Sequence, residues 1–269
     1  MSFYTSLNGM KNAQTELNVI SHNIANSETN GFKKSRVEFA DIVAGTAYTN
    51  PKMIQGIGAT VEAISQNFTL GAIEQTGSAL DIAINGDGFF ETVNAATGQT
   101  YYTRNGSFGM DGSGNVLDSS DNILQMFAST GPNTFATTAT NTTIPPTNTA
   151  GSQYTGVTVG ANGNITASYA DGTNTVVGRV ALASFIAPAG LKQVGSSNWV
   201  ATGLSGSAKF GAPGSGQYGE LLSGALERSN VDIAEELVGL ITAQRNFQAN
   251  AKAIDTATQI SQTVINLRT

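Results

Sequence analysis

Cysteine is absent from the sequence, which excludes disulfides, thiolate metal sites and cysteine nucleophiles together. Histidine occurs once, as His22, so a serine nucleophile would have no second imidazole to call on. Charged residues make up only 12% of the chain, about half the usual ~25%. The net charge of −6 leaves no basic footprint for nucleic acid and no polybasic membrane patch. No apolar run approaches the ~20 residues of a membrane span. The opening "MSFYTSLNGMKNAQ" has neither a basic n-region nor an apolar h-region, so it does not read as a cleaved signal peptide. Export, if it occurs, is expected to cleave nothing.

In place of charge the chain carries Gly, Thr, Ser and Asn, a turn-rich, β-leaning mixture. Its 269 residues give room for one large domain or two small ones. Two stretches stand apart. Near the start, Phe3, Leu7, Met10, Ala13, Leu17, Ile20 and Ile24 recur at steps of three and four, one stripe of a helix. At the end, Ile233, Leu237, Leu240, Phe247, Ala251 and Ile254 are spaced four, three, seven, four and three, with Gln244 filling the vacant position and Ile241 on the same helix, and the stripe continues through Ala257, Val264 and Leu267. Ser229 or Asn230 is placed to cap this second helix, and Asp232, Glu235 and Glu236 put negative charge at its positive end. A helix from Asn230 to Thr269 would be a rod of roughly 55 Å.

Two narrow stripes facing each other are marginal, since helices draw most of their stability from packing. The missing neighbours are supplied either by the chain's own β domain or by like chains. Between the first helix and the β-rich middle lies "NIANSETNGFKK". Asn26 ends the stripe, Asn30-Gly31 can close the helix in the left-handed region, and Phe32 can fold back as an anchor. Lys33, Lys34 and Arg36 then read as the start of a solvated segment.

The middle reads as antiparallel β structure. Leu80, Ile82 and Ile84 alternate before the Gly86-Asp87-Gly88 turn, and Asn105-Gly106 and Asp171-Gly172 are hairpin signals. "STGPNTFATTATNTTIPPTNTAGSQYTG" from Ser129 to Gly156 is polar and proline-broken, and reads as a surface excursion or spacer. The expected fold class is α+β: long N- and C-terminal helices in a paired, coiled-coil-like region around a central antiparallel β-rich domain. The expected boundaries are 1–30 and 225–269 for the helices, 31–128 and 157–224 for the β-rich domain, and 129–156 for the excursion.

No catalytic constellation is present. "GLSGSAK" has no Gly-Lys-Ser/Thr ending, so it is not a P-loop. "DGSGNVLD" alternates Asp111, Ser113 and Asn115, yet Val116 stands where a calcium loop needs Gly and Asn122 where it needs Glu; a hairpin turn is the simpler reading. Asp81 and Asp87 flank a glycine turn and read as caps rather than an acid–base pair. Catalytic, cofactor and metal sites are therefore all expected to be absent.

"LNVISHNIANSETNGFKKSRVEFADIV" resembles the N-terminal signature of the bacterial flagellar rod and hook axial family. "GALERSNVDIAEELVGLITAQRNFQANAKAIDTATQISQTVINLR" resembles its C-terminal signature, and "TGSALDIAINGDGFF" and "YYTRNGSF" resemble its β-domain motifs. Within the family, "QGIGATVEAISQNFTLGAIEQTG" and "TVINLR" are closer to hook proteins than to distal rod proteins. Typical hook proteins carry an additional outer β domain, which the Thr/Asn-rich excursion replaces here in reduced form; in length the chain is rod-like. The resemblance implies a structural subunit that is exported unfolded by the flagellar type III apparatus and polymerises into a helical tube. That tube would be a flexible joint carrying torque from rod to filament, and a channel for exported proteins. It also implies partners: further copies of the chain, the distal rod, the hook cap, the hook–filament junction and the export apparatus, with no nucleic acid and no membrane insertion. The implied location is the flagellar hook or basal body, outside the cell.

On this resemblance the functional residues are interfacial: Phe3, Leu7, Met10, Leu17, Ile20 and Ile24 on the first helix, and Leu237, Ile241, Phe247, Ile254, Val264 and Leu267 on the second. Asn26, Thr29, Gly31 and Phe32 form the joint. A rod protein and a secreted β-rich binding module whose helices pack on itself are the alternatives, although Trp199 and seven tyrosines offer little for a ligand platform.

Overall fold

The computed structural model describes residues 2–44, 55–131 and 134–266. The chain forms two compact units, one of Met1–Ser27, Lys34–Asn67 and Val231–Thr269, the other of Glu28–Lys33 and Phe68–Asn230.

The first unit holds α1 (Ser2–Ala25), β1 (Ser35–Ala44), β2 (Gln55–Gln66) and α2 (Ile233–Asn266). Both helices fall where the apolar periodicity predicts them. The helix cap differs: Asp232 Oδ1 accepts from the backbone N–H of Ala234 at 2.8 Å and of Glu235 at 3.2 Å, so Asp232 rather than Ser229 or Asn230 closes the N-terminus. Asn230 is occupied elsewhere, donating to Thr69 O at 3.2 Å and Thr69 Oγ1 at 3.1 Å in the other unit's own fold. The two helices run antiparallel, since Gly9 meets Asn250 while Ile20 meets Gly239. β1 and β2 pair antiparallel from Ser35↔Gln66 to Ala44↔Gln55. The edge of β2 takes hydrogen bonds from α1: Asn12 Nδ2 donates to Ala59 O at 2.8 Å. Residues 34–67 thus belong with the helices, although their alternation alone assigns them to the β-rich domain.

The second unit is antiparallel β throughout its described sheets. Its strands are β3 (Ile73–Gln75), β4 (Ile82–Asn85), β5 (Phe89–Asn94), β6 (Thr100–Thr103), β7 (Gly109–Met110), β8 (Val116–Leu117), β9 (Asn122–Gly131) and β10 (Thr134–Asn141). They continue with β11 (Tyr154–Val159), β12 (Asn164–Tyr169), β13 (Asn174–Val180), β14 (Leu182–Ser184), β15 (Lys192–Gly195), β16 (Asn198–Val200), β17 (Lys209–Gly211), β18 (Glu220–Ser223) and β19 (Ala225–Glu227). The main sheet has the order β11-β12-β13-β9-β5-β6-β16-β15, while β18 pairs with β4 and β19 with β3. α+β is therefore the fold class.

Two cores fill this unit. One is aliphatic with Phe90 and Phe108, running from Ile82 and Ile84 through Leu124 and Ile165 to Leu221. The other is aromatic: Phe89, Tyr102, Phe185 and Trp199, joined by Phe68 in edge-to-face contacts of 4.8–5.8 Å. Asp171-Gly172 does close the β12–β13 hairpin, with Gly172 at φ +79°. "DGSGN" turns β7 into β8, and Asp111 Oδ1 accepts from the N–H of Ser113 and Asn115 at 2.8 and 2.7 Å.

Two readings change. Asn105-Gly106 is not a hairpin turn, because β7 pairs with β8 rather than with β6. Gly106 lies against the backbone of Ile82, where a side chain would collide, and its carbonyl accepts from the Ile82 N–H at 3.0 Å. The excursion at 129–156 is also more regular than its composition suggests. β9 runs into it, Thr134–Asn141 pairs with β9, and Ile144 is buried in the main core. "TFATTATN" keeps enough β-branched residues to ladder onto a strand while facing solvent.

Candidate assembly interface and joint

The helix pair is built from small side chains where it is closest. A methyl group on Gly9 would stand 2.5 Å from Asn250 Oδ1, and one on Gly239 3.4 Å from Ile20 Cδ1. Ala13 and Ala243 are buried in the same unit, Ala243 completely. Gly239 faces Ile20 of α1, where an added methyl would make an ordinary van der Waals contact.

This seam redistributes the residues singled out by periodicity. On α1, Ile20 is buried against Gly239 within the chain, Leu7, Met10, Leu17 and Ile24 are half-buried, and Phe3 is exposed. On α2, Phe247 and Ile254 are half-buried. Leu237, Ile241 and Val264 remain 47%, 48% and 61% exposed; Leu267 lies outside the described residues. Gln244 is exposed and does not fill the seam, which Ala243 occupies instead. Large apolar residues mark a face of α2 that one chain leaves open: Ile233, Leu237, Val238 and Ile241. The C-terminal part of α2 also exposes Ile260, Val264 and Ile265, on other sides of the helix, because α2 has 34 residues against 24 in α1 and every described residue from Thr258 on is exposed.

Asn23, which periodicity does not single out, ties this unit together. Its amide donates to Ser35 O at 2.9 Å and to Glu236 Oε2 at 3.1 Å, and its oxygen accepts from the Ser35 N–H at 2.9 Å. Lys34 pairs with Glu235 at 3.0 Å. Beside these groups a cavity of about 220 Å³ is lined by Glu16, Val19, Ile20 and the start of β1.

The joint residues fall in both units. In the first, the α1 end is closed by Asn26, whose amide donates to His22 O at 2.9 Å. In the second, Gly31 has φ +67° and donates its N–H to Glu227 O at 2.8 Å, while Thr29 O accepts from the Phe32 N–H. Phe32 is buried, so the apolar anchor is realised, whereas Gly31 takes the left-handed conformation without closing α1, which ends at Ala25.

Lys33 corrects the expectation of a solvated segment: its side chain is 0% exposed. Its ammonium donates to Glu227 Oε1 and to Thr69 O, at 2.5 and 2.7 Å. Glu227 Oε1 also accepts from the Gly71 N–H at 2.9 Å, and Oε2 from Arg104 Nη1 at 3.3 Å. Burial pushes the Lys33 ammonium down, against the opposing pull of Glu227, with Arg104 adding to the lowering. Arg104 is lowered chiefly by burial too; it donates to Gly86 O at 2.9 Å and lies 5.2 Å from the centre of the Phe89 ring. Two cations and one carboxylate are thus held together in the interior. A buried pair of this kind is costly to break. Nothing in "GFKK" distinguishes Lys33 from Lys34, because the distinction rests on Glu227, 194 residues away.

Among the described residues no group of acidic, histidine or cysteine side chains is arranged to hold a metal ion, and no described helix is long and apolar enough to cross a membrane. The features that stand out are surfaces and anchors.

Comparison with known proteins identifies the family. Three family models match: the flagellar basal body rod protein over residues 3–33, the flagellar hook protein FlgE/F/G D1 domain over 83–167, and the flagellar basal body rod FlgEFG protein C-terminal region over 222–267. The chain is 36% identical to the flagellar basal-body rod protein FlgG of Bacillus subtilis, with 99% of this chain and 98% of that protein aligned. It is 32% identical to FlgG of Agrobacterium fabrum over 95% of each. It is 29% identical to the flagellar hook protein FlgE of Salmonella typhimurium over the whole of both. The end helices, the joint and the β unit all fall within these matches, and the chain belongs to the flagellar rod and hook family of structural axial proteins.

Proposed function

We propose that this chain is a hook subunit, polymerising head-to-tail into a helical tube that acts as a flexible joint between rod and filament and as a channel for exported protein. The observation that carries the polymer is the open apolar face of α2. Ile233, Leu237, Val238 and Ile241 stand 45–66% exposed on one side of the helix in a single chain, and an apolar patch of that kind marks an interaction surface; Val264 adds exposed apolar surface further along. A second copy covers it. Repetition of such an unlike-to-unlike contact generates an open helix wherever its rotation does not close into a ring. Phe3 of α1 joins the same contact, Leu7, Met10, Leu17, Ile24, Phe247 and Ile254 contribute their remaining exposed surface, and Ile20 holds the helix pair together from within. The pair behaves as a coiled coil whose outer seam is completed in the tube. Asn26, Thr29, Gly31 and Phe32 connect the helix unit to the β unit.

The hook assignment is supported by full-length alignment with hook proteins. Further partners on this reading are the distal rod below, the hook cap and hook–filament junction above, and the type III apparatus that exports the chain. A rod subunit is the second reading, favoured by one specific observation. The Bacillus subtilis rod-protein alignment spans 280 residues, whereas the Salmonella hook alignment spans 411 against this chain's 269. The hook relative therefore carries material that this chain lacks.

Electron microscopy of the purified chain under polymerising conditions, with expression in hook-less and distal-rod-less cells, separates these readings. Curved tubes and restored motility in the hook-less cells are expected. Straight tubes with rescue only of the rod-less cells replace hook by rod. A chain that stays monomeric under all conditions and rescues neither overturns both.

A further inference from the structure

One face of the main sheet carries a small polar cavity. Cross-strand register sets Asn94 of β5 opposite Asn122 of β9, Tyr101 of β6 opposite Thr92, and Asn198 of β16 opposite Thr103. Alternation along the strands puts these side chains on one face. Asn94, Tyr101, Asn122 and Asn198 floor a cavity of about 200 Å³, walled by Ser120 and by Val194, Gly195 and Ser196 from the β15–β16 turn. None of its lining residues is charged.

Two of the amides are fixed. Asn94 Nδ2 donates to Asn122 Oδ1 at 3.1 Å, while Asn94 Oδ1 accepts from the N–H of Ala96 and Thr97. Asn122 Nδ2 donates to Asp118 Oδ2 at 2.9 Å. Asn198 is different: it is only 6% exposed, it lines the cavity, and no described residue hydrogen-bonds its amide. Its amide nitrogen and oxygen open onto the cavity rather than being sealed in the fold, and so stand ready to meet a polar ligand there. Beside Tyr101 on the same face, Thr92 is wholly buried with Oγ1 lacking a partner. The adjoining turn is held firmly: Ser196 and Ser197 have φ of 52° and 55°. Ser197 Oγ donates to Asn30 O at 2.9 Å, and Ser197 O accepts from Thr103 Oγ1 at 2.8 Å. These bonds support a backbone conformation that is unfavourable for serine.

We propose that this cavity is a binding subsite for one ring of a neutral saccharide. An open primary amide offers a donor and an acceptor side by side, which matches a pair of vicinal hydroxyls. Tyr101, Ser120 and Ser196 supply further hydroxyls, and the Tyr101 ring an apolar surface. An ion would find no countercharge, and the volume lies below the roughly 300 Å³ at which drug-sized pockets begin. The proposal stands independently of hook or rod.

Saturation-transfer NMR on the full chain tests it in monomer or polymer alike, with glucose, galactose, mannose and N-acetylglucosamine as probes in the millimolar range. Transfer to the ring protons of at least one sugar is expected, with Asn198→Ala weakening it about tenfold. Because Asn198 is buried, Ser120→Trp serves as the second variant, filling the cavity from a turn without touching the sheet's ladder; it should abolish transfer while the melting temperature holds. Absence of transfer from all four sugars, or transfer unchanged in Ser120→Trp, overturns the proposal. So does a Ser120→Trp chain that fails only to polymerise, since the occupant would then be another copy of the chain.

Discussion

Glu91 lies on β5 opposite Tyr102 of β6, on the side of the strand that carries the aromatic core. It is only 8% exposed, and Oε2 has no hydrogen-bond partner. Burial pushes its carboxyl up to about 7 from 4.5, and burial together with the nearby Glu91 carboxyl pushes Tyr102 up to about 12. A carboxyl whose folded pKa is raised favours the fold while protonated. Its contribution is therefore complete below about 4.5 and is lost as pH rises through about 7. The penalty at alkaline pH is on the order of 2 kcal/mol, after discounting for solvent reach. Glu91→Gln should melt at a higher temperature than the parent at pH 9 and at nearly the same temperature at pH 4. A difference between the two proteins that is the same at both pH values would show that Glu91 ionises as readily in the folded chain as in the unfolded one.

At the scale of elements, α2 separates what spacing reveals from what it hides. Steps of three and four place both helices correctly, because that periodicity follows from the 3.6-residue turn alone. They do not say which side meets α1. Large apolar residues suggest a seam through Leu237 and Gln244, yet the seam runs through Gly239 and the buried Ala243. The Asp171-Gly172 hairpin is legible for the same local reason as the helices. Gly106 is misread because its glycine serves a contact with Ile82, distant in sequence. The two faces of α2 should respond oppositely to substitution. Leu237→Asp, on the open face, should leave the monomer's stability within about 0.5 kcal/mol and prevent tube formation. Ala243→Leu should overpack the seam and cost the monomer about 1–3 kcal/mol. Thermal melts of the monomer, with sedimentation of polymer, check both; an assembling Leu237→Asp chain would remove the open face from the interface.

At the scale of the whole molecule, the chain leaves the helix unit after Ser27, contributes six residues to the β unit, and returns at Lys34. Those six residues are not a passive tether. Gly31 bonds to β19, Phe32 is buried, and Lys33 reaches Glu227 of β19. The β unit is therefore incomplete if cut at its apparent start, Phe68. Such a cut removes a buried aromatic side chain and leaves Glu227 without its ammonium partner, changes that each cost on the order of 3–5 kcal/mol. A fragment of residues 68–230 should consequently melt well below one of residues 28–230, although the longer piece carries the 34–67 hairpin without its helices. Neither should form tubes, since both lack α1 and α2. Matching melting temperatures for the two fragments would mean that the Gly31–Lys33 anchor is dispensable to the β unit. The burial of Lys33 would then serve only to fix where the chain crosses.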